Sequence, residues 1–85
     1  MRLRKILRNI SKITEVHLKL GSRYLVVLNE GRRLRCFLYH WSDYRFGGEP
    51  IREVTKRFEE LPRFLDELKE ELGVARTRVV RIWRM

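Results

Sequence analysis

Hydrophobic residues near the start of the chain follow the spacing of one helix face. They are Leu3, Ile6, Leu7, Ile10 and Ile13, and basic side chains fill most of the positions between them. Such spacing places the apolar side chains on one side of a helix, so we predict a short, amphipathic, basic N-terminal helix. Its apolar stripe covers the core or contacts a second copy of the chain, or the basic side serves as an arm that faces phosphates.

The next part of the chain has the pattern of strands. Apolar and polar residues alternate over 14–20, which predicts a strand whose two faces differ. A Gly-Ser pair at 21–22 suits a hairpin turn, and the apolar run at 24–28 is typical of a central strand. Turn residues follow at 29–31, and a third strand over 32–41 completes a three-stranded antiparallel meander.

The second half of the chain returns to helical spacing. We expect 42–50 to form a loop, and beyond it apolar residues recur at spacings of three and four as far as residue 72. Pro62 lies inside that pattern and must break or kink a helix. We therefore predict two helices, over 50–60 and 62–72, and the competing interpretation makes 51–57 a strand.

Together these elements predict an α+β fold. β-branched and aromatic residues within 75–85 indicate a closing strand. The layout is an N-terminal helix, a three-stranded antiparallel meander, a helical pair on one sheet face and a C-terminal strand. At 85 residues the chain is expected to be a single domain over 1–85. Helices on one face leave the other face of the sheet open.

The third strand, RRLRCFLYHW at 32–41, divides into two unlike faces. Successive side chains of a strand point to opposite sides of the sheet. One face carries apolar residues and a terminal histidine, and the other carries two arginines followed by three rings. The apolar face is Leu34, Cys36, Leu38 and His40, and the second face is Arg33, Arg35, Phe37, Tyr39 and Trp41.

Two interpretations of the second face compete. Its rings can pack beneath the helices, with the Cys36 side covered by a dimer partner. Against this, Arg33 and Arg35 are costly to bury without partners. A basic and aromatic sheet face suits single-stranded nucleic acid, whose bases stack on rings while guanidinium groups hold phosphates. We favour this second interpretation and expect the rings to face solvent.

The charge of the chain supports a polyanionic partner. The formal net charge is +9, and 15 of the 20 basic residues are arginine. The charge is also unevenly placed: net +8 over 1–48, −3 over 49–72 and +4 over 73–85. Such a distribution indicates a polarised surface. The absence of glutamine and the high charged fraction of 36% are typical of a thermophile.

In layout the chain resembles two families of single-strand binders. The resemblance depends on FLYHW at 37–41, the turn-rich meander, and the helix LPRFLDELKEELG at 61–73. The families are the archaeal ThermoDBP-related proteins and, second, the PC4-like transcription coactivators. A PC4-like chain would have a fourth strand directly before its helix, whereas EPIREVTKRF reads as helix, which favours the first family. The resemblance implies dimers or larger assemblies that bind single-stranded DNA or RNA with little sequence preference.

We therefore predict a non-enzymatic protein that binds single-stranded DNA or RNA. The alternatives are a protein-interaction subunit, and a chromatin-like binder of duplex DNA that uses the N-terminal helix. A small ribonuclease using His40 with Arg35 and Tyr39 is a further alternative. The predicted contact residues are Lys19, Arg23, Arg33, Arg35, Phe37, Tyr39, Trp41, Tyr44, Arg45 and Phe46.

Other residue types suggest no further chemistry. Cys36 is the single cysteine, and we interpret it as a small buried hydrophobe. His17 and His40 are interpreted as ordinary polar positions, and we expect neither a metal nor a cofactor. The sequence shows no membrane span and no signal peptide, so a cytoplasmic location is expected. The apolar stripes of the helices exceed what one small sheet covers, which predicts a homodimer or higher homo-oligomer.

Overall fold

The computed structural model describes residues 3–85, and Met1 and Arg2 lie outside the described part. Ten elements follow one another along the chain. The first five are helix α1 (Leu3–Arg8), a 3-10 turn (Ile10–Lys12) and strands β1 (Ile13–Leu20), β2 (Arg23–Asn29) and β3 (Leu34–His40). The next three are helix α2 (Trp41–Arg45), strand β4 (Arg52–Lys56) and a second 3-10 turn (Phe58–Glu60). The last two are helix α3 (Leu61–Leu72) and strand β5 (Arg78–Arg84).

The strands form one antiparallel sheet in the order β4-β3-β2-β1-β5. The predicted meander is confirmed as β1, β2 and β3, and the predicted closing strand is confirmed as β5, which pairs with β1. The α+β class is therefore confirmed.

The helix expected over 50–60 is wrong, and the alternative strand over 51–57 is closer to the structure. Strand β4 pairs with β3 so that Val54 lies opposite Cys36. The edge of β3 supplies backbone hydrogen bonds here, and Val54 packs against the core. Ile51, which the helical pattern counted as an inward position, is 48% exposed. The segment EPIREVTKRF, interpreted as helix, therefore contains a strand that is followed by a 3-10 turn and then by α3.

The second predicted helix is confirmed as α3. Pro62 lies in its first turn, where its missing N–H and fixed φ are tolerated, so the proline starts the helix rather than kinking it. Gly73 ends the helix in the left-handed region, with φ of 68°.

The expected loop needs one local correction, and β5 contains a bulge. The loop expected over 42–50 begins as the short helix α2, which includes Trp41 as its first residue and ends at Arg45, and Gly47 beyond it has a φ of 75°. In β5 a bulge places Val79 opposite Leu18 and Arg81 opposite His17, leaving Val80 as the extra residue. Val79 and not Val80 therefore shares the core side with Ile82.

The core lies between one face of the sheet and the helices α1 and α3. Leu34, Cys36 and Leu38 are all buried, which confirms the predicted inward parity of β3. The apolar stripes of the helices are largely used up within one chain. Fully buried or nearly buried members are Ile6, Ile10, Leu61, Leu65 and Leu68, while Leu3, Leu7, Phe58 and Leu72 pack against them. The apolar surplus on which the homodimer prediction depended is thus much reduced.

Candidate nucleic-acid interface

The sheet face turned away from α1 and α3 carries the candidate site, and we call it the aromatic face. Cross-strand pairing places directly opposite residues on the same side of a sheet. Tyr24 on β2 lies between Lys19 and Tyr39, and Val26 lies between His17 and Phe37. The aromatic face consists of Glu15, His17, Lys19, Tyr24, Val26, Leu28, Arg35, Phe37, Tyr39, Glu53, Thr55, Arg78, Arg81 and Trp83 from the strands, with Trp41, Tyr44 and Arg45 from α2.

Helix α2 folds back over one end of this face, and Tyr44 is its main contact. The Tyr44 ring stacks on Tyr24 with centroids 4.2 Å apart, and it meets Tyr39 edge-on at 5.2 Å. Trp41 lies 5.0 Å from Tyr24 and 6.1 Å from Tyr44, the latter nearly parallel. Such pairs each contribute about 0.5–1.5 kcal/mol beyond their buried area. The rings therefore hold α2 against the sheet.

A buried histidine lies beneath these rings. His17 is 5% exposed, and its Nε2 is 2.5 Å from Glu15 Oε2. Its Nδ1 is 2.7 Å from the Tyr24 hydroxyl and 3.4 Å from the Tyr44 hydroxyl. In the neutral ring, Nε2–H donates to the carboxylate and Nδ1 accepts the Tyr24 hydroxyl proton. The interpretation of His17 as an ordinary polar position missed this network, which satisfies both ring nitrogens and fixes the orientation of two tyrosines.

Burial governs the titration of the tyrosines in this cluster. It raises the pKa of Tyr24 to about 12, and the neighbouring Tyr44 hydroxyl adds to the effect. Burial also raises the pKa of Tyr39, again with a smaller contribution from Tyr44. Tyr24 and Tyr39 therefore stay neutral at physiological pH.

Cationic side chains lie over the rings at the rim of the face. Lys19 Nζ is 5.0 Å from the centroid of Trp41, and Arg45 Cζ is 5.9 Å from the same ring. Arg81 Cζ is 6.0 Å from the centroid of Trp83. Within residues 3–85, no ion pair joins Lys19, Arg45 or Arg81 to an acid. Their charge is therefore available to a ligand.

The structure brings together most of the predicted contact residues. Arg35 lies on the face and pairs with Glu30 at 3.2 Å, both side chains being well exposed. Phe46 follows α2, is 82% exposed and has Arg45 Cζ 5.4 Å from its ring. The predicted residues that lie on α2, next to it or on this face are Lys19, Arg35, Phe37, Tyr39, Trp41, Tyr44, Arg45 and Phe46.

Two predicted contacts lie elsewhere. Arg23 pairs with Leu20 and His40, which places it on the helix side of the sheet because Leu20 is a core residue. Arg33 lies in the bend before β3 rather than on the strand. In β3, His40 lies on the helix side of the sheet, whereas Arg35 and Tyr39 lie on the aromatic face. The three residues of the ribonuclease alternative therefore do not share a face.

The sequence analysis did not place Tyr24, Trp83, Arg78 or Arg81 on the face. Tyr24 belongs to the part of β2, residues 24–28, that is apolar at every position, so parity alone assigns it to neither side. Trp83 and Arg81 enter through β5, whose bulge and pairing partner are tertiary features. Trp83 lies opposite Glu15, is 39% exposed and has its ring 4.7 Å from that of His17.

Residues 3–85 contain no group of three histidine, cysteine or acidic side chains placed to hold a metal ion. No helix within residues 3–85 is long and apolar enough to cross a membrane. Comparison of the chain with models of known families, with curated proteins and with solved structures gives no match. The resemblance to the ThermoDBP-related and PC4-like proteins therefore stays a prediction.

Proposed function

We propose that the protein binds single-stranded nucleic acid on the aromatic face. One observation carries the proposal: partly exposed rings and unpaired cations share the sheet face that is turned away from α1 and α3. Phe37 and Trp83 lie near opposite edges of this face, with Val26 and His17 between them. Such a surface offers stacking positions for successive bases, each worth about 1–3 kcal/mol.

The arrangement of the rings suits a ligand with unstacked bases. Contacts with Tyr24 and Tyr44 already hold Trp41, and His17 supports Trp83. Rings held in this way lose little side-chain entropy when a base stacks on them. The bases of a duplex are stacked on one another and reach such rings only after unpairing. The aromatic face therefore favours single strands over duplexes.

The cations supply the phosphate contacts. Lys19, Arg45 and Arg81 lie beside rings, so a base on the ring brings its phosphate close to the charge. Arg35 must exchange Glu30 for a phosphate. This exchange costs little, because exposed ion pairs contribute about 0–1 kcal/mol. Each phosphate contact releases counterions and makes the slope of log affinity against log salt more negative by about 0.7.

Competition between a labelled single strand and unlabelled single-stranded or duplex oligonucleotides tests the proposal. We expect the single strand to compete at much lower concentration, for both DNA and RNA forms. Arg35→Ala should make the slope of log affinity against log salt less negative by about 0.7. Arg63→Ala is the matched control, because Arg63 is an exposed, ion-paired arginine on α3. Equal competition by duplex, or an equal effect of the two variants, would contradict the proposal.

Assembly and location complete the proposal. We propose a cytoplasmic protein that acts as a homodimer. The groove between α1 and α3, of about 600 Å³, supports this assembly because its apolar lining residues lie beside charges of both signs. The apolar residues are Leu3, Leu7, Pro62 and Leu65, and the charged ones are Arg4, Arg8, Asp66 and Lys69. Nucleic-acid binding itself needs one chain, because the whole aromatic face belongs to a single copy.

A further inference from the structure

A second basic site lies around the β5 edge from the aromatic face. A cavity of about 270 Å³ opens where α1 and its 3-10 turn meet the end of β5. Buried Ile6 and Ile13 belong to its wall, and Lys5, Lys12 and Arg84 are the charged residues lining it. Asn9 is the remaining lining residue. We call this the terminal cavity. Among residues 3–85, no acidic side chain lines it.

The cations of the terminal cavity are held close together by backbone contacts. Arg84 pairs with Ile13 across β1 and β5, and the Met85 N–H donates to the Lys12 carbonyl at 3.1 Å. The Asn9 side chain donates to the Lys5 carbonyl at 2.9 Å, which fixes the Asn9 side chain at the end of α1. Lys5 and Lys12 make no ion pair with any acid within residues 3–85. Two uncompensated charges and Arg84 thus converge over an apolar wall.

The chemistry of the cavity fits one nucleotide. Lysine and arginine bind phosphate as a point charge and as a bidentate fork respectively. The isoleucine wall suits the flat, largely apolar surface of a base or sugar. The volume is just below the roughly 300 Å³ at which drug-sized pockets begin, so it suits a small unit rather than a large ligand.

The position of the cavity links it to the aromatic face. Trp83 is on that face and Arg84, the next residue, lines the cavity, with the two Cα atoms about 3.8 Å apart. The Trp83 carbonyl accepts the Thr14 hydroxyl proton at 3.0 Å, so this end of β5 is fixed to β1. A strand that stacks on Trp83 and crosses the β5 edge meets the cavity next.

We propose that the terminal cavity binds a nucleotide of the same single strand, with its phosphate between Lys5, Lys12 and Arg84. This inference rests on the proposed function, because the strand reaches the cavity by way of the aromatic face. The strand then contacts both sides of β5, and the affinity for long oligonucleotides depends on charges that the aromatic face does not contain.

Two double variants test the charge. Lys5→Ala with Lys12→Ala removes two cavity cations, whereas Arg4→Ala with Arg8→Ala removes the same charge from the α1 side that lines the other groove. On a 16-nucleotide strand, at the upper end of the about 4–16 nucleotides that a small single-strand-binding fold covers, the first variant loses the contact with one phosphate, so the slope of log affinity against log salt should become less negative by about 0.7. Between 50 and 200 mM salt this amounts to an about 2.6-fold smaller loss of affinity. The second should leave the slope unchanged, and equal slopes in the two variants would overturn the inference.

A mononucleotide probes the cavity without the strand. Titration with AMP, followed by NMR, should shift the side-chain amide signals of Asn9 in the wild type and not in the Lys5 and Lys12 variant. No shift of Asn9 in the wild type would overturn the cavity as a nucleotide site. If AMP shifts Asn9 but no single strand binds, the proposed function fails and the strand path with it. If strands bind and ring variants weaken them while both double variants behave alike, only the terminal cavity is refuted.

Discussion

Adjacent residues of β3 should have opposite effects on binding and stability. Phe37 lies on the aromatic face, opposite Val26 and Glu53, and Leu38 is 3% exposed in the core. Phe37 makes none of the ring–ring contacts found within residues 3–85, so its replacement disturbs the cluster least. The change Phe37→Leu keeps most of the apolar volume and removes the flat ring, whereas Leu38→Ala truncates a core side chain.

The magnitudes follow from these positions. Loss of one stacked base costs about 1–3 kcal/mol, so Phe37→Leu should raise the Kd for a single strand about 5- to 150-fold. Its volume-conserving change should cost under about 1.5 kcal/mol of stability. Leu38→Ala should cost about 2–5 kcal/mol of stability. With about 4–8 °C per kcal/mol for a domain of this size, its Tm should fall by at least about 8 °C.

Two measurements on each variant check this reasoning. Urea unfolding gives the free energy of unfolding, and fluorescence anisotropy with a labelled single strand gives the Kd, at a temperature where Leu38→Ala is still folded. We expect Leu38→Ala to retain nearly the wild-type Kd. If Phe37→Leu binds as well as the wild type, base stacking on this ring is refuted. If Phe37→Leu unfolds the protein and Leu38→Ala does not, the assignment of the two faces is wrong.

Three further predictions concern the ring cluster, the buried thiol and the assembly. Tyr44→Ala should loosen α2 and lower the free energy of unfolding by about 1–3 kcal/mol, since it removes ring contacts worth about 0.5–1.5 kcal/mol each. Tyr44→Phe should keep most of the wild-type free energy of unfolding. Equal losses in the two variants would show that the ring does not hold α2. Burial raises the pKa of Cys36 from 9.0 to about 12, and that of Tyr24 from 10.0 to about 12. The folded state holds these protons more tightly than the unfolded state. The free energy of unfolding should therefore be greatest below pH 9 and fall as the pH rises towards 12. A free energy of unfolding that stays constant over this range in urea unfolding would contradict the burial of both groups. Sedimentation at micromolar concentration should give twice the 10.4 kDa chain mass, and a 10.4 kDa species would refute the homodimer.

The sequence was sufficient where a local pattern coincides with a packing requirement. The alternation around Cys36 assigned the inward side of β3 correctly, because only compact apolar side chains fit beneath α3. The spacing over 62–72 gave α3, and glycine marked its end. The net charge of +9 and the rings at 37–41 led to the proposal of a nucleic-acid surface on the outward side of β3.

Tertiary structure decided what depends on partners distant in the chain. Segment 51–57 fits helix or strand by spacing, and the free edge of β3 made it a strand by offering backbone hydrogen bonds. The pairing of β5 with β1 brought Trp83 beside His17, and the fold of α2 brought Tyr44 onto Tyr24. A buried histidine needs partners for both ring nitrogens, and His17 finds Glu15 two residues away and Tyr24 on the neighbouring strand. Strand order and the β5 bulge therefore decide which rings share one face. The local alternation of apolar and polar residues predicts neither of them.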